Sequence, residues 1–230
     1  MTFQNLRSQS GVRQAPEVTA SLLTQTFAWM FAGLLVTAGI AAFVSTNPRV
    51  IDAVGNMLLP IFFGQLILAI GIQAGIRRLS ATAALGLFFV FAATMGFTIG
   101  LIVSLYTGQS VATAFLSASA MFGAAAVYGY TTKRSLTSLG GFLFMGMIGL
   151  IVASVVNLFL GSNPLGWAIA LIGVVIFTVF TAYDVQRVTY GDYVRVTGSV
   201  EKASVFGALQ LYINFVNIFL FLLRLMGGRN

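Results

Sequence analysis

The sequence predicts an all-α integral membrane protein with seven transmembrane helices. Of its 230 residues, 58% are hydrophobic and only 7% are charged, which is far more apolar than a soluble domain of this size requires. Apolar runs of about 20 residues follow one another, and a helix of that length crosses a hydrocarbon core of about 30 Å. The predicted spans are residues 22–44, 57–76, 82–106, 112–130, 139–160, 166–187 and 205–226.

Short connections separate these runs and account for their ends. The first run follows a polar stretch, residues 1–21, which we predict to be an N-terminal tail, and residues 22–230 then form a single bundle domain. The longest connection, residues 188–204, lies between the sixth and seventh runs. The other runs are separated by residues that break helices or carry charge, namely Asn47-Pro48, Arg77-Arg78, Thr107-Gly108, Lys133-Arg134 and Asn163-Pro164.

The distribution of basic residues predicts the orientation in the membrane. If the spans alternate in direction, most of the 12 basic residues fall on one side, and basic residues favour the cytoplasmic side. We therefore predict a cytoplasmic N-terminus and a C-terminus outside. The residues on the predicted cytoplasmic side are Arg7, Arg13, Arg77, Arg78, Lys133, Arg134, Arg187, Arg195 and Lys202. Those on the other side are Arg49, Arg224 and Arg229.

The composition also excludes several kinds of function. The net charge of +7 is scattered over short loops, so we predict no nucleic-acid partner. The chain has no cysteine and no histidine, which removes thiol chemistry, a serine–histidine dyad and the usual metal ligand.

Two further membrane functions are excluded by the positions of charged residues. A retinal protein needs a lysine in its last span, and both Lys133 and Lys202 lie outside the spans. An aspartyl protease needs two carboxylates, and only Asp184 lies in a span. We predict no enzymatic activity.

Asp184 is the first candidate functional residue, because it lies in the otherwise apolar sixth span. A charge inside a membrane costs several kcal/mol unless it is paired, hydrated or protonated, so such residues are usually functional. The alternative is that Asp184 lies close enough to the helix end to reach interfacial water.

The seventh span carries the second candidate feature, a stripe of amides. Gln210, Asn214 and Asn217 recur at i, i+4 and i+7, so they share one helix face. Amides are costly in lipid, and this face should point into the bundle. The stripe indicates either hydrogen bonds between helices or a polar path for ions.

The two features are predicted to lie at similar depths. At 1.5 Å per residue, Asp184 lies roughly 9 Å from the cytoplasmic end of its helix, Gln210 roughly 8 Å and Asn214 roughly 14 Å. Either amide is within reach of the carboxylate. Candidate charge partners are Arg187, one turn along the same helix, and the pair Arg77-Arg78 at the same membrane face.

Small residues also recur at helical spacing, which lets helices approach closely in lipid. The cases are Gly71-x-x-x-Gly75, Gly96-x-x-x-Gly100 and the cluster Ala118–Ala126 around Gly123. We predict that all three are helix-packing faces.

Three segments together resemble the Bax inhibitor-1 family of membrane proteins, also called the transmembrane Bax inhibitor motif family, in its bacterial branch. They are residues 123–135 (GAAAVYGYTTKRS), 178–187 (TVFTAYDVQR) and 207–227 (GALQLYINFVNIFLFLLRLMG). The resemblance covers nearly the whole chain. It implies a seven-helix bundle in which the last helix is central and wrapped by the other six, located in the bacterial plasma (inner) membrane.

The resemblance also implies a function. Bacterial members of the family are described as pH-sensitive calcium leak channels, and eukaryotic members as suppressors of cell death. The family's sensor is a pair of intramembrane aspartates, of which the first matches Asp184 and the second matches Asn214. An arginine that supports the pair matches Arg77, with Arg78 as the other possibility, and an acidic residue of some relatives matches Gln65. Ca²⁺ is then the expected transported ion and Asp184 its expected ligand, with no bound cofactor.

Asn214 departs from the family pattern and changes the expected chemistry. Two carboxylates in contact share a proton and titrate as a unit. An asparagine beside an aspartate has the shape of the half-protonated pair, but its NH₂ donor cannot be removed by raising the pH. We therefore expect a shallower pH response than in a two-aspartate relative, and a weaker site for Ca²⁺, which prefers several oxygen ligands.

A non-conducting membrane regulator is the alternative function. Such a protein would act through partners, for example a membrane protease or the stress and cell-death machinery, and would tolerate apolar replacements of the polar stripe. The polar residues 1–20 are then a candidate handle for the partner, although a disordered tail has the same composition.

Overall fold

The computed structural model describes residues 16–228, and nine helices account for most of them. Seven of these helices are long and apolar enough to span a membrane. Each coincides with one predicted span, so the predicted fold class is confirmed. The spanning helices are α1 (Pro16–Ser45), α3 (Leu58–Gly75), α4 (Ala81–Val103), α5 (Gly108–Thr131), α6 (Leu139–Leu160), α7 (Asn163–Thr189) and α9 (Val200–Met226). Two short helices, α2 (Pro48–Asn56) and α8 (Asp192–Thr197), lie in connections.

The first helix begins earlier than the sequence predicts. Helix α1 starts at Pro16, so the last residues of the predicted tail are helical. Residues 1–15, which make up the rest of that tail, lie outside the described residues, as do residues 229–230. The predicted roles of Arg7, Arg13 and Arg229 in orientation fall outside them too.

Hydroxyl side chains fix where several spanning helices begin. The oxygen of each accepts a hydrogen bond from a backbone N–H in the first turn, which satisfies one of the donors that a helix leaves unpaired at its start. The pairs are Ser80 with Ala83, Thr107 with Ser110, Ser162 with Leu165, and Ser199 with Lys202.

The last spanning helix is central, as the resemblance implies. Of its most apolar stretch, 67% is buried inside the protein, compared with at most 44% in any other span. Helix α9 packs directly on α1, α4, α5 and α7. The other two spans lie further out, α3 mainly against α4 and α6 against α7. The wrapping around α9 is therefore uneven.

The connection between α7 and α9 folds back against the bundle. Gly191 and Gly198 flank α8 with φ angles of 71° and 85°, a left-handed conformation that glycine adopts without steric cost. These two turns place Tyr193 and Thr197 of α8 in buried positions. The connection lies at the same end of the bundle as the α3–α4 connection (residues 76–80) and the α5–α6 connection (residues 132–138), and we call this end the basic end.

The three predicted small-residue faces have different outcomes. In the cluster Ala118–Ala126, Ala118 and Ala125 are buried, but the space around Gly123 is open. A Cβ atom on Gly96 would overlap Ile40 of α1, and one on Gly100 would overlap Val44, so α1 and α4 approach closely there. The space around Gly71 is open, and Gly75 meets only Leu79. The predicted packing role of Gly71-x-x-x-Gly75 is wrong, because α3 contacts α4 through another face.

Helices α5 and α7 approach each other most closely at Gly129. A Cβ atom there would overlap the carbonyl oxygen of Ala182, which is backbone and cannot move aside alone. We expect Gly129→Val to lower the free energy of unfolding by about 3 kcal/mol, measured by denaturation in detergent. Gly123→Val is the matched control on the same helix, since nothing lies within 4 Å of that position. Equal effects of the two substitutions would contradict the close approach.

Candidate functional site

The Asp184 carboxylate joins three helices inside the protein, near the basic end. Asp184 lies in α7 and is only 4% exposed. Its Oδ2 accepts a hydrogen bond of 2.7 Å from Nδ2 of Asn214 in α9, and its Oδ1 accepts one of 2.6 Å from the hydroxyl of Tyr193 in α8. Both oxygens therefore have a donor within the protein, and the carboxylate holds α7, α8 and α9 together.

The predicted amide stripe does not act as one unit. Of its three members, only Asn214 contacts Asp184. Gln210 donates from Nε2 to Oε1 of Gln73 in α3 at 3.0 Å, and Asn217 donates to the carbonyl of Ile213 in its own helix at 2.8 Å. The stripe thus bonds α9 to two different helices and leaves its third amide in a local bond.

Arg187 is the nearest of the predicted charge partners, although it forms no direct ion pair. Its guanidinium carbon lies 4.6 Å from the ring centre of Tyr193 and 5.4 Å from that of Tyr183. Cations are attracted to the faces of aromatic rings. Tyr193 is therefore contacted at two places: the Arg187 guanidinium lies over its ring, and the Asp184 carboxylate accepts from its hydroxyl.

Arg77 and Arg78 do not reach the carboxylate. Among the described residues, the ion pair within 4.0 Å is that of Arg195 with Asp192 on the surface. Arg77 instead donates from Nε to the carbonyl of Val196 at 2.7 Å. This bond ties the end of α3 to the segment that carries Tyr193, so Arg77 acts on the site through that segment.

Gln65 also lies apart from the carboxylate. It is buried in α3 and donates from Nε2 to the carbonyl of Thr94 and to the hydroxyl of Thr98, both at 2.8 Å. These bonds satisfy the amide inside the membrane and join α3 to α4.

Tyr193 is the site residue that the sequence analysis missed. It is 1% exposed, and its ring packs edge-on against Phe206 with centroids 5.0 Å apart. Burial, with the neighbouring Asp184 charge, raises the pKa of the Tyr193 hydroxyl well above its ordinary value. The hydroxyl therefore remains a donor over the whole physiological pH range. The only sequence signal for this position is the pair of glycines that bounds its short helix.

A cavity of about 240 Å³ lies beside the carboxylate, among α3, α6, α7 and α9. That volume holds several water molecules. Beyond Asn214, α9 is packed with buried apolar residues such as Ile218 and Phe219, so the polar lining of the cavity ends there. The polar residues that line the cavity are Gln73, Tyr183, Asp184, Arg187, Tyr193, Gln210 and Asn214.

Among the residues described, no group of three or more acidic, histidine or cysteine side chains is placed to hold a metal ion. The oxygens at the site come from the single carboxylate and from the amides around it. Ca²⁺ prefers six to eight oxygen ligands, which is more than this carboxylate and its neighbouring amides provide.

Removing the Tyr193 hydroxyl tests how much the carboxylate depends on it. We expect Tyr193→Phe to lower the free energy of unfolding by about 2 kcal/mol, since a hydrogen bond to a charged acceptor is lost while the ring stays. The measurement is denaturation in detergent. Tyr183→Phe is the matched control, because Arg187 also lies over that ring while the described contacts give its hydroxyl no hydrogen bond. A similar loss in both variants would show that the Tyr193–Asp184 bond contributes little.

The fold and the site together define a polytopic membrane protein whose central helix is bonded to a carboxylate inside the neighbouring span. The chain belongs to the Bax inhibitor-1 family. A family model described as inhibitor of apoptosis-promoting Bax1 matches residues 19–230. The resemblance seen in the sequence is thereby confirmed.

Several bacterial proteins are similar over most of their length. The inner membrane protein YbhL of Escherichia coli is 40% identical over 213 residues, which cover 90% of this chain and 91% of that protein. An uncharacterized protein of Deinococcus radiodurans is 38% identical, with 91% of each chain covered. Protein RP147 of Rickettsia prowazekii is 36% identical over 90% of this chain and 89% of its own. Seven apolar helices and an inner membrane relative support a multi-pass location in the inner membrane.

Proposed function

We propose that this protein is a pH-modulated leak channel for cations, with Ca²⁺ as the transported ion, closed by the contacts of Asp184. The observation that carries the proposal is the position of this carboxylate, which is buried within a membrane span and bonded at once to α8 and to the central helix α9. Family membership supports the same function through the resemblance described above.

Opening requires α7 to separate from α9 at the Asp184–Asn214 bond. Hydrogen bonds to an ionised acceptor are about twice as strong as those between neutral groups. Protonation of Asp184 therefore weakens its bonds to both Tyr193 and Asn214 and lowers the cost of separating the helices. The leak is expected to rise as the pH falls through the titration of this carboxyl group.

Asp184 accounts for the acid response by itself. The other titratable groups facing it are Tyr183, Arg187 and Tyr193, and none of them is a carboxyl group. The neighbouring faces of α3, α6 and α9 contribute only Gln73, apolar residues and the amides of α9 to the cavity. Among the residues that the structure describes, no second carboxylate lines this cavity.

The charges around the cavity favour a slow leak over a fast pore. Arg187 lines the cavity, and Arg77 and Lys202 lie near it at the basic end, where Lys202 donates to the Arg77 carbonyl. Positive charge at the entrance repels cations and reduces their local concentration. Behind it, one carboxylate provides a weak and transient oxygen site.

A non-conducting regulator is the second candidate. It is favoured by the fact that both Asp184 oxygens are satisfied inside the protein, since a contact of this kind also stabilises a bundle that never opens. A protein of this kind would act through a partner such as a membrane protease or the stress machinery.

Calcium entry into proteoliposomes separates the two functions. Purified wild type and Asp184→Ala would be reconstituted, and Ca²⁺ entry followed at several pH values against protein-free vesicles. A leak channel gives entry above the protein-free level that grows in acid, and Asp184→Ala abolishes the pH dependence. Wild-type protein that is shown to be folded and yet gives no entry would leave the regulator as the better account.

A further inference from the structure

A second cavity at the basic end has the features of a lipid site. It measures about 360 Å³ and is lined by the end of α5, by the α5–α6 connection with Leu139, and by α7. Helices α5 and α7 pack on each other, and the slot lies between them where the connection crosses the basic end. Its upper end, at the basic end of the bundle, is bounded by Arg134, Ser135 and Ser138. Its lower end, deeper among the spans, is bounded by Ala125, Thr178 and Val179.

Arg134 lines the upper end of the slot and follows Lys133, and within the described residues no acidic side chain pairs with either of them. Lys133 and Arg134 are both exposed. Within residues 16–228, neither has a carboxylate within 4.0 Å, since the ion pair found there joins Arg195 and Asp192. Uncompensated arginine and lysine at a membrane surface attract anionic headgroups.

Two hydrogen bonds from α7 fix the backbone of the α5–α6 connection. Gln186 of α7, only 4% exposed, donates from Nε2 to the carbonyl of Arg134 at 2.9 Å. Its Oε1 accepts a hydrogen bond of 2.7 Å from the N–H of Leu136. Arg134 therefore projects from a fixed backbone, which reduces the entropy lost when its side chain binds an anion.

The start of α6 adds a hydroxyl at the same place. Ser138 is exposed and precedes this 22-residue helix, and its hydroxyl does not cap the first turn. The first two N–H groups of the helix, those of Leu139 and Gly140, already donate to the carbonyls of Leu136 and Thr137. The Ser138 hydroxyl is therefore the donor that this helix start offers to a phosphate beside Arg134.

The lower end of the slot is apolar and lies at the depth of the hydrocarbon core. From Gln186 to Thr178, α7 descends by about 12 Å. The walls there are Ala125, Val179 and Ala182, with the Thr178 hydroxyl bonded to its own helix. The exposed ring of Tyr128 lies near the top, where tyrosine commonly marks the membrane interface.

We propose that this slot binds an anionic phospholipid, with its phosphate at Lys133, Arg134 and Ser138 and the upper part of one acyl chain along α7. A soluble phosphate ion would use the upper end alone, and a neutral lipid the lower end alone. The combination of an uncompensated cationic rim and an apolar slot fits an anionic amphiphile. This proposal does not depend on whether the protein conducts ions.

Binding to the delipidated protein in detergent tests the proposal. Phosphatidylglycerol and phosphatidylcholine with identical chains would be titrated, and bound lipid counted by native mass spectrometry. We expect Arg134→Gln to weaken phosphatidylglycerol binding about fivefold and to leave phosphatidylcholine unchanged. Arg78→Gln is the matched control, an exposed arginine at the same end but away from the slot, and should change neither.

Two further arms distinguish the possible sources of binding. Val179→Phe fills the apolar end and should weaken phosphatidylglycerol binding even though every charge is kept. Inorganic phosphate should not displace the lipid at the same concentration. Equal losses in Arg134→Gln and Arg78→Gln would mean diffuse attraction and overturn the site. Displacement by inorganic phosphate, or no effect of Val179→Phe, would overturn the lipid as its occupant.

Discussion

Replacing Asp184 with asparagine is expected to give a leak that no longer depends on pH and that, at neutral pH, matches the wild type in acid. The amide keeps the size of the side chain and one acceptor oxygen but removes the charge. Its bonds with Tyr193 and Asn214 then fall from charge-assisted to neutral strength, a combined loss of about 2 kcal/mol. If this loss destabilises the closed state and leaves the open state unchanged, the fraction of open protein rises roughly 30-fold.

Flux into proteoliposomes across a pH series measures this result directly. The matched control is Asp192→Asn, the same change on α8, where the carboxylate pairs with Arg195 on the surface. The control should keep the wild-type pH profile. An Asp184→Asn profile that still rises in acid would assign the pH response to another group and remove Asp184 from the gate.

The transmembrane architecture follows from the sequence because it is set by transfer to lipid. A run of about 20 apolar residues has few alternatives to a spanning helix, since its backbone must satisfy its own hydrogen bonds in the bilayer. All seven spans were predicted for this reason. Helix α2 was not, because it is short and carries the exposed Arg49 and Asp52, so no hydropathy signal marks it.

The contact between Asp184 and an amide was predictable in part. Spacing along two adjacent helices placed both Gln210 and Asn214 within reach of the carboxylate. Which of them makes the bond depends on the rotation of α9 about its axis, and this is set by packing on five other helices. The structure assigns Asn214 to Asp184 and directs Gln210 to Gln73.

Tyr193 could not be found from local sequence because its burial depends on tertiary structure. The residue lies in a connection, where a tyrosine is ordinarily at the interface. It becomes part of the site only because left-handed turns at Gly191 and Gly198 fold α8 back onto the bundle, and because Arg77 in the α3–α4 connection bonds to Val196. The two glycines mark turns in the sequence, but they do not indicate what the turns bring together.

The expected roles of Arg77 and Arg78 show the limit of transferring a site by resemblance. Both lie at the membrane face that carries the carboxylate, as predicted. The guanidinium of Arg77 nevertheless bonds to a backbone carbonyl, and Arg187 holds the aromatic ring beside Asp184 instead. Since Asn214 is neutral, the site contains one carboxyl group instead of two, and both of its oxygens accept hydrogen bonds from uncharged donors.

Introducing the second acid, Asn214→Asp, is expected to make the pH response steeper and to add an alkaline limb. At the 2.7 Å distance of the present bond, two carboxylates cannot both be ionised without strong repulsion, so they share a proton and titrate as a pair. The singly protonated pair keeps the closed contact. When the shared proton is lost at higher pH, the two carboxylates repel each other and drive α7 and α9 apart. The leak of this variant therefore increases toward alkaline pH, where the leak of the wild type is lowest.

The same flux measurement, repeated over a wide pH range, distinguishes this effect from general damage to α9. Asn217→Asp is the matched control, since it adds an acid one turn further along the same helix, where Asn217 bonds only to the Ile213 carbonyl. A shared-proton site predicts the alkaline limb in Asn214→Asp and its absence in Asn217→Asp. If Asn214→Asp responds to pH as the wild type does, the carboxylate–amide contact is not the pH-sensitive closure of this protein, and its bond to α9 serves packing alone.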